Sequence, residues 1–193
     1  NISKSKADVL VFSTYIWNAE IVQKLICDVK KILPKCVIGA GGPEAGFYAE
    51  GYLKKLSSLD FVMCGEGEAT VDEIVCIYEK LFGDCNGDCD FDGKLFLENI
   101  KTVNGIYTKL GDEIFFGKNR ELIQDLSDLP FAYPQITDPD NRIYYYESSR
   151  GCPFSCSYCT SSLDKRVRFM PLERVFEDIQ RFLDVNVRLV KFV

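Results

Sequence analysis

Histidine is missing altogether from the 193 residues. That excludes any catalytic triad, zinc site or general base that needs an imidazole from this chain. A basic excess is missing too, since 23 Lys and Arg stand against 29 Asp and Glu for a net charge of -6. Proteins that grip phosphate backbones over a broad surface carry the opposite balance, so no nucleic acid is expected as a partner. No apolar run approaches the roughly 20 residues that span a bilayer, so no membrane partner is expected either. The chain starts without Met and without the charged-then-apolar pattern of a secretory leader. A cytoplasmic setting follows as the expectation.

What is present is enough for a folded domain: 47% of residues are apolar and 27% are charged. Nine cysteines, an odd number in a chain with no leader, favour a reducing compartment and metal or redox use over a disulfide framework. Both ends look cut. Residues 188–193 alternate like a strand with nothing after it, and Asn1 leads almost at once into a strand over residues 8–13. The sequence therefore reads as an excerpt of a longer protein.

Residues 8–13, 36–40 and 60–64 are short continuous apolar runs, the pattern of strands buried on both faces. Between them lie helical patterns. Asn18 stands where it can cap a helix with Val22, Leu25, Ile26, Val29, Ile32 and Leu33 on one face, ended by Pro34. A second helix is expected over residues 45–56, and a third over 68–81 with Val71, Ile74, Val75 and Tyr78 inward. Alternation of strand and helix implies an α/β fold with a parallel sheet covered on both faces.

The pattern then changes. Residues 84–98 carry five acids and one lysine, and residues 84–93 read as an acidic surface loop. No second helix is expected before a hairpin formed by residues 104–108 and 113–116 around Gly111 and Asp112. Pro130, Pro134 and Pro139 mark residues 126–141 as a linker. Beyond it come a strand over 142–148, a long loop over 151–168, a helix opened by Pro171 and the final strand. That helix should turn Leu172, Val175, Phe176, Ile179, Phe182 and Leu183 inward.

The long loop holds Cys152-Pro153-Phe154-Ser155-Cys156-Ser157-Tyr158-Cys159. Three thiols at this spacing can wrap one compact soft-metal centre, and thiolates suit iron-sulfur clusters. A four-iron cubane held by three thiolates leaves one iron open to an outside ligand, which points to chemistry more than to simple electron transfer. Residues 142–168 carry five basic side chains against two acidic ones, a setting suited to an anionic cluster and cofactor. A zinc knuckle is the competing reading, but no fourth Cys or His stands nearby.

Cys152, Cys156 and Cys159, with aromatic Tyr158 before the third Cys, resemble the C-x-x-x-C-x-aromatic-C signature of the radical S-adenosylmethionine (SAM) superfamily. The resemblance implies that the three thiolates hold a [4Fe-4S] cluster whose open iron binds SAM, and that the backbone at Tyr158 contacts its adenine. It further implies reductive cleavage of SAM to a 5'-deoxyadenosyl radical. Two other stretches extend it. The segments from Phe12 to Asn18, from Gly41 to Glu44 and from Cys64 to Glu68 are similar to the amino-terminal cobalamin-binding domain of one branch of that superfamily. The run from Tyr145 to Gly151 before the first Cys also resembles that branch. The branch includes methyltransferases and anaerobic magnesium-protoporphyrin monomethyl ester cyclases.

By that resemblance, residues 1–83 are a Rossmann-like cobalamin domain lacking its first strand and helix. Residues 84–125 are an acidic loop with a hairpin extension, 126–141 a linker, and 142–193 the first β-α-β part of a radical SAM barrel of TIM type. Ser13, Thr14, Gly41, Gly42, Gly65 and Glu66 are the implied cobalamin contacts. No His is present to replace the lower axial base of a corrin. The glycine-rich SAM motif that follows the second barrel strand lies beyond the sequence, so the excerpt alone should be inactive. The implied activity of the parent protein is methyl transfer or oxidative cyclisation of a small molecule. An electron donor such as flavodoxin or ferredoxin is the implied protein partner. The alternatives are a radical SAM enzyme whose first domain binds no corrin, and a non-enzymatic α/β module with a structural metal knuckle.

Weaker signals read more plainly. Residues 88–93 match the first half of a calcium loop, but Asn99 occupies the twelfth position where a bidentate Glu belongs, so a solvated loop is expected. Cys85 and Cys89 read as an incidental pair there. Cys27, Cys36, Cys64 and Cys76 read as small core residues, and Trp17 as packing.

Overall fold

The computed structural model describes residues 2–83, 90–159 and 166–193; Cys85, Cys89 and Asp88 lie outside the described residues. The chain divides into two compact units, Asn1–Leu122 and Ile123–Val193.

The first unit begins with a short helix, α1 (Ile2–Ser5), and continues as β1 (Val9–Ser13), α2 (Ala19–Ile32), β2 (Val37–Gly41), α3 (Pro43–Phe47), α4 (Ala49–Lys55) and β3 (Phe61–Met63). It then adds α5 (Glu68–Phe82), α6 (Gly93–Ile100), β4 (Ile106–Leu110) and β5 (Glu113–Phe116). All five strands form one sheet in the order β1-β2-β3-β4-β5. The first three are parallel, with Ser13 opposite Gly41 and Gly39 opposite Phe61. The hairpin joins them antiparallel through β3, with Phe61 opposite Thr108, so it completes the sheet and does not stand apart as an extension.

Alternation along the strands sends residues to two cores. Ile38, Ala40 and Val62 meet Val22, Ile26 and Val29 of α2 and Leu53 of α4. Val37, Phe61 and Met63 meet Ile74 of α5 and Phe96 and Ile100 of α6 on the other face. Burial on both faces explains the apolar runs of β2 and β3, whereas β1, expected to be buried in the same way, lies at the sheet edge with Val11 and Ser13 exposed.

Several local expectations are corrected. α6 is a helix where none was expected. Asp92 caps it by accepting from the backbone N–H of Lys94 at 2.9 Å and of Leu95 at 3.1 Å, and Phe96, Leu97 and Ile100 are buried beneath it. Asn18 makes no side-chain cap; it accepts from Tyr15 N at 2.7 Å and donates to Ser13 O at 3.1 Å, bracing the β1–α2 turn. The helix expected over residues 45–56 is broken at Tyr48 into α3 and α4. On α5, Val71 and Val75 face outward, and Thr70 is buried with Ile74. Cys36 is buried as expected of a core thiol, whereas Cys76 is exposed.

The second unit contains a 3-10 turn (Leu126–Asp128), β6 (Ile143–Tyr146), β7 (Ser149–Arg150), β8 (Arg168–Phe169), α7 (Leu172–Asp184) and β9 (Leu189–Phe192). β6 and β9 pair in parallel, Ile143 opposite Leu189, as the β-α-β reading requires. Pro171 is the residue before the helix and not its first turn. Residues 126–141 are no free linker. Leu126 is fully buried, Tyr133 Oη donates to Tyr145 O at 2.8 Å and accepts from Tyr145 N at 3.0 Å, and Arg188 N donates to Pro139 O at 3.1 Å. The segment is a strap laid on this unit's aromatic core of Tyr144, Tyr146 and Phe182. Only part of the expected α7 stripe turns inward: Phe182 is buried, whereas Leu172, Phe176 and Leu183 are exposed.

Candidate cofactor sites

The first candidate site is the edge where β1, β2 and β3 end. Adjacent parallel strands deliver their following turns to one edge, the usual ligand position in open α/β sheets. Thr14 locks this edge. It is fully buried, its hydroxyl donates to Gly41 O at 2.7 Å and accepts from Ala45 N at 2.9 Å, and its N–H reaches the same carbonyl at 2.8 Å. Thr14 therefore holds the turn, with its side chain committed to Gly41 and Ala45 beneath the edge.

Gly42 is needed for the same reason. Its φ is 91°, and a Cβ there would lie 2.6 Å from Thr14 O. Gly41 is buried in the strand, Ser13 and Gly65 are exposed at the edge, and Glu66 is half-buried. Around Gly65 and Gly67 the space is open, with no atom within 4 Å of an added Cβ. Tyr15 and Trp17 stack at 4.6 Å and 9° in the β1–α2 turn. Trp17 is 75% exposed, so it is a surface platform and not core packing. Phe47 and Tyr48 are also exposed beyond β2. Exposed aromatic side chains beside a strand-end edge are the kind of surface that a ligand or partner covers. The aromatic pair was legible as residue types, but its exposure was not.

The second candidate site is the cysteine loop. β7 and β8 form a two-residue antiparallel ribbon, Ser149 opposite Phe169 and Arg150 opposite Arg168, which closes the loop at its neck. Gly151 follows with φ of 95°, and a Cβ there would lie 2.0 Å from Arg166 O. Only glycine fits between the two chains of the neck. Cys152, Cys156 and Cys159 are each half-buried and none is in a disulfide. A turn bond from Cys159 N to Cys156 O at 3.2 Å draws two of them together. Among the described residues, no three His, Cys, Asp or Glu side chains are gathered closely enough to hold a metal ion. The donor set nonetheless fits a thiolate-held cluster: three thiols in one short loop, with the nearby carboxylate of Glu147 already engaged by Arg150 at 2.8 Å. The Tyr158 ring is 90% exposed.

A polar network beneath the neck was not foreseen. Asp178 of α7 is buried and accepts from Arg174 Nε at 3.0 Å and Tyr146 Oη at 3.1 Å. Burial and the Asp178 charge push the Tyr146 hydroxyl up to about 12, so it remains a proton donor at ordinary pH. The available signal was an Asp at an inward position of an otherwise apolar helix stripe.

Fold and sites together define an α/β protein with a Rossmann-like sheet in its first unit and three cysteines in one loop of its second. Residues 1–75 match the B12 binding domain family. The chain is 26% identical over 187 residues to the cobalamin-dependent radical SAM methyltransferase TokK of Streptomyces tokunonensis, covering 91% of this chain and 25% of that protein. It is 30% identical over 189 residues to the hopanoid C-3 methylase of Methylococcus capsulatus, covering 96% of this chain and 34% of that protein. Its fold matches the apo, selenomethionine-labelled cobalamin-dependent S-adenosylmethionine radical enzyme OxsB with a TM-score of 0.69 at 17% identity, over 100% of this chain and 26% of that one. The chain thus spans a quarter to a third of the length of these relatives. Its first 75 residues match a B12 binding domain, and over most of its length it is similar to proteins named as cobalamin-dependent radical SAM enzymes. No helix among the described residues is long and apolar enough to cross a membrane.

Proposed function

We propose that this chain serves an enzyme that combines a [4Fe-4S] cluster, SAM and cobalamin for methyl transfer or oxidative cyclisation of a small-molecule substrate. The observation that carries the reading is the pairing, on one chain, of a B12-binding sheet with an open aromatic edge and a three-cysteine loop pinched at the end of a parallel strand. When bound, such a cluster supplies the electron that cleaves SAM, and such a corrin carries a methyl group.

The chain's own residues have distinct tasks in this scheme. The thiolates of Cys152, Cys156 and Cys159 ligate iron, and the backbone at Tyr158 offers hydrogen bonds to the adenine. Ser13, Gly41, Gly42, Gly65 and Glu66 border the corrin groove, and Thr14 holds the groove's floor from beneath. The flat Tyr15–Trp17 pair offers an apolar face of the kind a macrocycle covers. With no histidine in the chain, no imidazole from these residues ligates cobalt. The electron comes from a low-potential carrier of flavodoxin or ferredoxin type, in a cytoplasmic setting.

Anaerobic reconstitution of the full-length protein tests the cluster. About four irons and four sulfides per chain are expected, and Cys152→Ala, Cys156→Ala or Cys159→Ala should each abolish them. One zinc without sulfide would instead establish a metal knuckle. Cobalamin titration tests the groove. Gly42 is unsuitable as a probe because any side chain there breaks the Thr14 lock, whereas Gly67 has open space and an ordinary φ of -85°. Gly67→Leu should weaken cobalamin binding by about tenfold or more, and Asp90→Ala should leave it unchanged. Equal binding by the parent and both variants would remove the corrin from this edge and leave radical SAM chemistry without it.

A further inference from the structure

The Arg174–Asp178–Tyr146 network is an odd choice for stability alone. Asp178 is 1% exposed; one carboxylate oxygen takes both hydrogen bonds, and the other has none, with Arg181 Nε at 3.9 Å. A buried carboxylate with an unsatisfied oxygen costs stability, and an apolar triplet of the same volume would commonly do as well or better. The network does, however, join three segments around the cysteine loop. Arg174 donates to Ser127 O and Leu129 O of the strap, each at 3.2 Å. Tyr146 closes β6, and its hydroxyl also lies 3.1 Å from Met170 Sδ. Met170 follows β8, and its N–H donates to Ser148 O at 2.9 Å, directly beside the first pair of the neck ribbon. Each link from Asp178 to Gly151 is thus a hydrogen bond, a side-chain contact or a strand pair within one unit.

We propose that Tyr146 and Asp178 are positioning residues for the cysteine loop, fixing the spacing of its neck and so the angle at which Cys152 leaves it. The inference rests on the reading that this loop holds a cluster. The ribbon at the loop's neck is two residues long, and the Met170–Ser148 bond extends it toward Tyr146 and the network. A charged, hydrogen-bonded anchor sets direction where apolar packing would permit sliding. Neither residue touches iron or SAM in this scheme; both act through the backbone of the neck.

Tyr146→Phe is the clean variant, because it keeps the ring against Phe182 and removes only the hydroxyl. Arg174→Met/Asp178→Leu is the second, since it removes both buried charges together and leaves neither unpaired. In the unloaded full-length protein, the Met170 amide should exchange its hydrogen about tenfold faster in Tyr146→Phe. After reconstitution, iron should be lost to a chelator about tenfold faster in both variants, with an altered electron-paramagnetic signal on adding SAM. Thermal unfolding and cobalamin uptake serve as controls and should remain near the parent's. If the variants are stable and match the parent in exchange, iron retention and spectrum, the positioning role is overturned while the cluster stands. If the unaltered protein takes up no iron and sulfide, the cluster reading fails and this inference fails with it.

Discussion

At the scale of single residues, the thiols show how environment separates chemically identical groups. Burial raises the Cys36 thiol and pushes Cys64, at the end of β3, up to about 11 from an ordinary 9.0. Cys76 lies exposed on α5. A thiol reacts as its thiolate, so a maleimide reagent at pH 8 should label Cys76 readily and leave Cys36 and Cys64 unmodified until the protein is unfolded. Mass spectrometry of the labelled peptides checks this, and early labelling of Cys64 would contradict the burial argument. The sign of the pH dependence follows. The folded value of Cys64 lies above the unfolded one, so the native state holds this proton more tightly. That contribution is complete below about pH 9 and is lost as pH rises through about 11. None of this was visible in four cysteines that all sat in apolar surroundings in the sequence. Which of them meets solvent depends on the rotation of a helix or the pleat of a strand.

At the scale of elements, α6 carries the main lesson. It is eight residues long and follows an acidic stretch, so its period is too short to declare itself. Its signal was the pattern Asp92 followed by Phe96, Leu97 and Ile100, a cap and then an apolar stripe. That same Asp92 looked like a calcium-loop position, and the carboxylate is occupied instead by two backbone N–H groups. Asp92→Ala should cost about 1 kcal/mol, the usual worth of a good N-cap. A urea titration would measure it as a lower midpoint at unchanged slope. An effect near zero would mean that burial of Phe96 and Ile100 alone holds the helix. The outward apolar residues of α2 and α5 have a common cause. α2 and α5 each cover one side of a narrow sheet, so their buried stripes are narrower than their apolar stripes. Val71, Val75 and Leu25 remain on the outside.

At the scale of the whole chain, the two compact units carry the two candidate cofactor sites separately. Cys152→Ala should therefore abolish iron without impairing cobalamin uptake, and Gly67→Leu should do the reverse. Iron analysis and corrin absorbance on the same preparations decide this, and a variant that loses both would show that the sites depend on each other. Much of this organisation could be read from the chain directly. The three parallel strands, the hairpin, the β-α-β start of the second unit and the cysteine spacing are set by alternation, turn residues and short-range intervals, which are properties of neighbouring residues. What the tertiary structure decided involves partners far apart. Thr14 is committed to Gly41 across 27 positions, Asp178 to Tyr146 across 32, and Arg174 to Ser127 across 47. Those contacts made Thr14 a lock, turned an expected linker into a strap and made an apolar helix face the seat of a buried charge. The reason is that no local pattern records which distant group a polar side chain will meet once the core closes around it.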